Sequence, residues 1–300
     1  MENFKNYLIK KNYEPNTIEQ NIRYAKNWLE MLINENLKPD EVRYNDILSF
    51  IEHLKEQDKS VKNINRHLLA IRHYYQYLDI NINPAEGVFL KGTSRNIPKD
   101  LLEEKDLKEI YETYPVYTDR DKRNKAILGL LINQAITTEE LHKLEPKHLL
   151  LDKGKIIISG GKRSNQRTLK LQSYQILELH NYIENIRPEI IKNIHQKRPA
   201  RKPDKINKER LNQQLFISLN GNTQIKNSLL HMFRALRKKY PNIKHAKQIR
   251  MSVITNKLKT HNLREVQYFA GHKWVSSTER YKLGNIEDLK KQVNKYHPLQ

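Results

Sequence analysis

Through most of this chain apolar residues recur at steps of three and four, so its hydrophobic surface must be buried as amphipathic helices. Ile18, Ile22, Ala25, Leu29 and Leu32 define one helix, with Trp28 beside the stripe and Asn16 or Thr17 as its cap. Ile47, Phe50, Ile51 and Leu54 define a second over 45–55. Ser60 caps a third that carries Val61, Ile64, Leu68, Ile71, Tyr75 and Leu78. A short apolar stretch over 4–9 adds a turn or two. These helices form a bundle of nearly neutral charge whose faces carry Arg66, His67, Arg72 and His73.

Residues 81–99 hold Pro84, Gly87, Gly92 and Pro98 without periodicity and read as a linker. Beyond it the helical pattern covers 103–114, 123–134, 138–144, 173–185, 225–240, 246–261 and 263–269. The exception is a β-hairpin. Ile156, Ile157 and Ile158 precede the turn cluster Gly160-Gly161-Lys162-Arg163-Ser164-Asn165, and a strand resumes over 167–171. The segment 196–210, rich in Lys and Arg and holding two Pro, reads as a loose loop. At 300 residues the chain has room for two domains.

Charge is uneven. Lys and Arg number 55 against 34 Asp and Glu, a net +21, and the successive hundreds carry +1, +4 and +16. The window 161–260 alone carries +18. Apolar residues at helical spacing inside it (Leu229, Leu230, Phe233, Leu236) argue against a disordered basic tail. A folded face of one sign implies a polyanionic partner, with nucleic acid ahead of an anionic membrane surface. The chain has no cysteine, which excludes a disulfide scaffold, an iron–sulfur site, a cysteine nucleophile and a thiolate zinc site. No apolar run approaches the roughly 18 residues of a membrane span. The opening Met-Glu-Asn-Phe-Lys lacks the apolar core of a signal peptide, so a cytoplasmic, nucleoid-associated protein is expected.

Near the C-terminus, Gly271-His272 is followed by Tyr281, with Ser276 and Glu279 in a capping-box pattern that starts a helix before the tyrosine. Lys247-Gln248-Ile249-Arg250 lies one helix upstream, and the basic hairpin with Lys162 lies further upstream. This order resembles the tyrosine recombinases of the phage-integrase and Xer type, over nearly the whole chain. Asn83-Pro84-Ala85 after the last bundle helix is similar to the same family. The ending Lys295-Tyr296-His297-Pro298-Leu299 resembles integrases of Bacteroidota mobile elements.

The resemblance implies a mainly α fold with a small β-sheet. A helical, SAM-like core-binding domain would span 1–82, a linker 83–99, an α+β catalytic domain 100–284, and a tail helix 285–300 that packs on a neighbouring subunit. It implies Tyr281 as nucleophile, Arg250, His272 and Lys247 as phosphate-binding groups, and Lys162 as general acid. The family also has an arginine in Gly-Leu-Arg-x-x-Glu-Leu; here Ala135-Ile136-Thr137 precedes Glu140-Leu141, so Thr137 stands in its place and Glu140 is kept. Some integrases of conjugative elements lack this arginine too. The implied reaction cleaves and rejoins DNA through a 3′-phosphotyrosine and a Holliday junction, and needs no metal or cofactor because protein cations serve the phosphate. The implied partners are duplex DNA with paired recombination sites, three further copies of the chain in a homotetramer, and accessory DNA-bending proteins, with no membrane. Two alternatives stand beside this reading: a weak or silent DNA-binding relative, which Thr137 favours, and a type IB topoisomerase.

Overall fold

The computed structural model describes residues 1–92, 100–162, 164–196, 208–222 and 224–282. The chain divides into two units, Met1–Arg95 and Asn96–Gln300. In the first, helices α1 (Glu2–Lys10), α2 (Pro15–Asn34), α3 (Tyr44–Glu56) and α4 (Val61–Leu78) form at the predicted places. Helix α2 starts earlier than a cap at Asn16 or Thr17 requires. Pro15 is its first helical residue after Glu14, a position where the missing N–H costs nothing. Ser60 does cap α4, accepting from the Asn63 amide at 3.3 Å.

The core of this unit joins Trp28, Ile47, Phe50, Leu54, Leu68 and Ile71, with Trp28 and Phe50 edge to face at 5.0 Å. A separate cluster of Phe4, Leu8, Ile18 and Ala25 closes the α1 end. His67 does not present a cationic face. It is buried against Tyr24, its Nδ1 is paired with the Asn63 carbonyl at 3.0 Å, and burial lowers its pKa. The stretch read as a linker begins as part of this unit. Ala85 and Val88 enter its core, and the Asn65 side chain bonds both the amide and the carbonyl of Leu90 at 2.9 Å.

The second unit begins with α5 (Glu104–Glu112), α6 (Asp119–Asn133) and α7 (Thr138–Lys143). A three-stranded antiparallel sheet follows, with β1 (Leu149–Leu150), β2 (Lys155–Ile158) and β3 (Arg167–Lys170) in that order. The hairpin β2–β3 pairs Ile158 with Arg167. Strand β1 is too short to leave a periodic signal. On β3, Arg167 and Leu169 point inward while Thr168 and Lys170 face out.

The predicted helix over 173–185 is α8 (Ser173–Asn181), which widens into a π turn over Tyr182–Ile186 and continues as α9 (Arg187–Gln196). Pro188 lacks an amide to continue the regular ladder, and the wide turn takes up that break. Then come α10 (Lys208–Gln213), α11 (Lys226–Lys239), α12 (Ala246–Lys257) and α13 (Leu263–Ala270). On α11, Leu229, Phe233 and Leu236 are buried but Leu230 is exposed. A last helix, α14, covers 276–282, with the Glu279 amide bonded to the Val275 carbonyl at 3.0 Å. Ser276 is thus already helical rather than a cap. Most of the loop over 196–210, Arg163, and the tail over 285–300 with its 295–299 ending lie outside the described residues. Among the described residues no helix is long and apolar enough to cross a membrane.

Between α6 and α7 the buried Ala135 holds a left-handed backbone, φ 48°. A Cβ there costs about 1–2 kcal/mol, partly offset by the backbone entropy that glycine loses on folding. Ala135→Gly is expected to raise stability by up to about 1 kcal/mol, and urea unfolding of the purified protein measures it.

Candidate active site

Helix α7 starts at a reciprocal cap. The Thr137 hydroxyl accepts from the Glu140 amide at 3.1 Å, and Glu140 Oε2 accepts from the Thr137 amide at 2.8 Å. Thr137 is therefore a helix cap, its hydroxyl oxygen accepting and its amide donating within the turn. The cap also aims the Glu140 carboxylate inward, where Arg167 of β3 grips it as a fork, Nη1 to Oε1 at 2.6 Å and Nη2 to Oε2 at 3.2 Å. Burial alone would raise the Glu140 carboxyl. The Arg167 hydrogen bonds and charge, the Thr137 amide and Arg250 outweigh it and hold the carboxyl below its ordinary value.

Arg250 projects from α12 into the same place. Its Nη1 donates to the Ala135 carbonyl and its Nη2 to the Ala270 carbonyl at 2.6 Å. Nη1 lies 3.9 Å from Glu140 Oε2. Two main-chain carbonyls thus fix the guanidinium plane, and its remaining N–H groups are left for a ligand. Burial lowers the Arg250 pKa, opposed by Glu140. An arginine stays charged through such a shift.

Helix α13 ends at Gly271, whose φ of 66° gives the left-handed stop that glycine allows. Glycine is required here for a second reason. A Cβ would collide with Arg167 Nη1 and stand 3.0 Å from its Cζ and 3.1 Å from the Asn165 carbonyl. The hairpin tip docks on this turn, since the Asn165 amide bonds the Gly271 carbonyl at 3.0 Å and Ser164 pairs with His272 as a single antiparallel bridge. Tyr268 holds the other side, its hydroxyl accepting from the Thr168 amide at 3.2 Å and donating to the Thr168 carbonyl at 3.3 Å.

His272 Nδ1 shares a hydrogen bond of 2.9 Å with the buried Thr278 hydroxyl. Its ring stacks on Tyr281 at 5.9 Å and 14°, and the Arg280 guanidinium lies 5.7 Å from the Tyr281 ring centre. Burial, then Arg250, Arg280 and Arg167, depress His272 to about 3, with Glu140 opposing. His272 is therefore neutral at physiological pH, a donor or acceptor rather than a cation.

The structure thus brings Arg250, His272, Tyr281 and Glu140 together. Lys162 is exposed at the hairpin tip, two residues before Ser164. Lys247 is exposed on α12, three residues before Arg250 and so on the same side of the helix. Sequence reasoning missed Arg167, Thr278 and Arg280. Arg167 had a signal: it shares the inward register of β3 with Leu169, where a buried arginine needs an acid.

Two expectations follow. Gly271→Ala should destabilise the second unit by about 1–3 kcal/mol, from the strained φ and the displaced Arg167, as thermal unfolding will register. The His272 ring resonances should stay flat from about pH 8 to about pH 5. Because the native pKa lies below the unfolded value near 6.5, the unfolded chain binds a proton that the native chain refuses. This contribution is complete above about pH 6.5 and is lost toward pH 3, at up to about 1.4 kcal/mol per pH unit. The stability difference between the protein and His272→Gln, read from denaturant titrations, should change with pH only in that window.

Known proteins resemble both units of the chain. The sequence profile of the Phage integrase family matches residues 100–287, and that of the phage integrase N-terminal SAM-like domain matches 1–79. The chain is 26% identical over 317 residues to tyrosine recombinase XerC of Bacillus licheniformis, covering 99% of this chain and 98% of that protein. It is 27% identical to tyrosine recombinase XerD of Oceanobacillus iheyensis at 99% and 98% coverage. Among solved structures, a Tn1549 transposon integrase in complex with circular intermediate DNA superposes with a TM-score of 0.63 at 18% identity, covering 95% of this chain and 98% of that one. A lambda integrase dimer bound to a core site gives 0.62 at 10% identity, over 93% and 92%. These two likenesses are of fold: mainly helical, with a small sheet in the second unit.

Proposed function

Because the chain belongs to the phage integrase family and is a tyrosine-type site-specific recombinase, we propose that it cleaves and rejoins duplex DNA with Tyr281 as nucleophile. The Tyr281 hydroxyl gives up its proton to solvent as its oxygen attacks the scissile phosphorus, the bond to the 5′-oxygen breaks, and a 3′-phosphotyrosine stores its energy for religation to another strand. Attack places more charge on the non-bridging oxygens, so fixed donors there stabilise the transition state above the ground state. Arg250, its plane held by two carbonyls, gives paired N–H groups. With the Thr278 hydroxyl donating to Nδ1, neutral His272 carries its proton on Nε2 and offers it to a phosphate oxygen. Lys247 adds a point charge.

The leaving 5′-oxygen takes a proton from Lys162, a step worth roughly 10²–10⁴-fold. The +18 window neutralises backbone phosphates. Four copies on paired sites carry the exchange through a Holliday junction, with accessory DNA-bending proteins where the sites require them. The observation that carries this reading is the stack of His272 on Tyr281 beside Arg250.

A silent DNA-binding relative is the competing reading, favoured by Thr137 being consumed as a cap. A nicked duplex whose cleaved end diffuses away separates the two. The recombinase accumulates a covalent protein–DNA band on such a substrate, and Tyr281→Phe abolishes the band while duplex binding stays within a few-fold. No band from the unaltered protein on cognate DNA, or a band that persists in Tyr281→Phe, defeats the assignment.

A further inference from the structure

Trp274 is the largest apolar side chain left exposed among the described residues. It is 67% exposed, whereas Trp28, the chain's other tryptophan, is fully buried in the first unit. A single apolar residue on a loose surface loop would carry no message. Trp274 instead stands on a turn pinned by hydrogen bonds on both sides. The Gly271 and His272 amides close the end of α13 on the Tyr268 and Gln267 carbonyls, at 2.9 and 3.0 Å. The Gln267 side chain donates to the His272 carbonyl at 3.1 Å. Ser164 of the hairpin pairs with His272, and the Trp274 carbonyl accepts from the Ser277 amide at 3.0 Å. An indole mounted on such a backbone loses little freedom when a ligand covers it.

Its position points to the ligand. Two residues span at most about 7 Å of chain, so Trp274 stands next to His272, the group assigned above to the scissile phosphate. The same stretch carries exposed cations: Lys273 is adjacent, and Arg280 lies against the Tyr281 ring. An aromatic ring set among cations suits a nucleic-acid strand, the cations taking phosphates and the ring taking the face of a base. A second copy of the chain, itself at +21, would meet like charge here. A base in an intact duplex has both faces stacked, but cutting the strand frees one beside the scissile phosphate. Resting on the strand-transfer reading above, we propose that Trp274 stacks on a base flanking the scissile phosphate and so holds the cut strand end at the site. One turn then serves both parts of the nucleotide, with His272 on the phosphate and Trp274 on the base.

The two tryptophans make this contact readable in the full chain. Acrylamide, a neutral quencher, reaches Trp274 and not the buried Trp28, so the quenchable emission reports Trp274. The probe is a half-site duplex nicked at the scissile position, with a 3′-phosphate and a 5′-hydroxyl, which mimics the cut strand. Binding should shield Trp274 from acrylamide. Trp274→Ala should weaken binding about 10-fold, the size of one lost base–aromatic stack, and Trp274→Phe should stay within about 3-fold of the unaltered protein. Each flanking base is then replaced in turn by an abasic site. At one of the two positions the difference between the protein and Trp274→Ala should shrink to under about 2-fold.

Equal binding by the protein and Trp274→Ala overturns the proposal. A Trp274 that stays open to acrylamide on the bound half-site also overturns it, and shielding that then appears on the full site identifies a contact between copies instead. Free protein without a quenchable tryptophan defeats it too, since the chain itself would then cover the ring. A Trp274→Ala deficit that persists on both abasic duplexes defeats it as well, because a merely structural turn residue would weaken every duplex alike. None of these measurements needs cleavage, whereas the covalent band reports on the strand-transfer reading, so the two ideas fail separately.

Discussion

The buried pair of Glu140 and Arg167 organises the site. Its carboxylate comes from the first turn of α7 and is aimed by the Thr137 cap; its guanidinium comes from β3 and runs under the turn that ends α13. Four pieces of chain far apart in sequence therefore meet on one ion pair: the α6–α7 turn, the hairpin, α12 through Arg250, and the Gly271-His272 turn. Breaking such a pair from one side costs about 3–5 kcal/mol because a lone charge is left in a dry interior. The pair thus sets where these four pieces of chain stand.

Around it the electrostatics sort the site's groups by role. Arg250 keeps its charge under burial, while His272, surrounded by Arg250, Arg280 and Arg167, is held neutral. A neutral imidazole among guanidiniums offers a directed hydrogen bond without adding repulsion. The hairpin contributes through backbone pairing at Asn165 and Ser164, so the Lys162 tip and the His272 turn form one hydrogen-bonded piece.

Much of this could be read in the residues. Stripes such as Ile18–Leu32 and Ile64–Leu78 became helices because burial, not local propensity, decides where such faces go. The hairpin followed from its isoleucines and glycines, and Arg250, His272 and Tyr281 from their order. What escaped depends on partners distant in the chain. His67 looks like a surface cation until α2 covers it with Tyr24. Arg167 looks like one more basic residue in a basic window until Glu140, 27 positions earlier, is brought against it. The start of α2 and the π turn after Asn181 lie beside prolines whose missing amides shift helix boundaries by a few residues.

The capped turn at Thr137 also bears on how such a site can change over time. An arginine introduced there would remove the cap, at about 1 kcal/mol, and would meet a carboxylate whose two oxygens already serve Arg167 and the Thr137 amide. Removal of Arg167 first would strand the Glu140 carboxylate. Each single change therefore costs stability on its own, so Thr137, Glu140 and Arg167 behave as one unit whose members are replaced together or not at all.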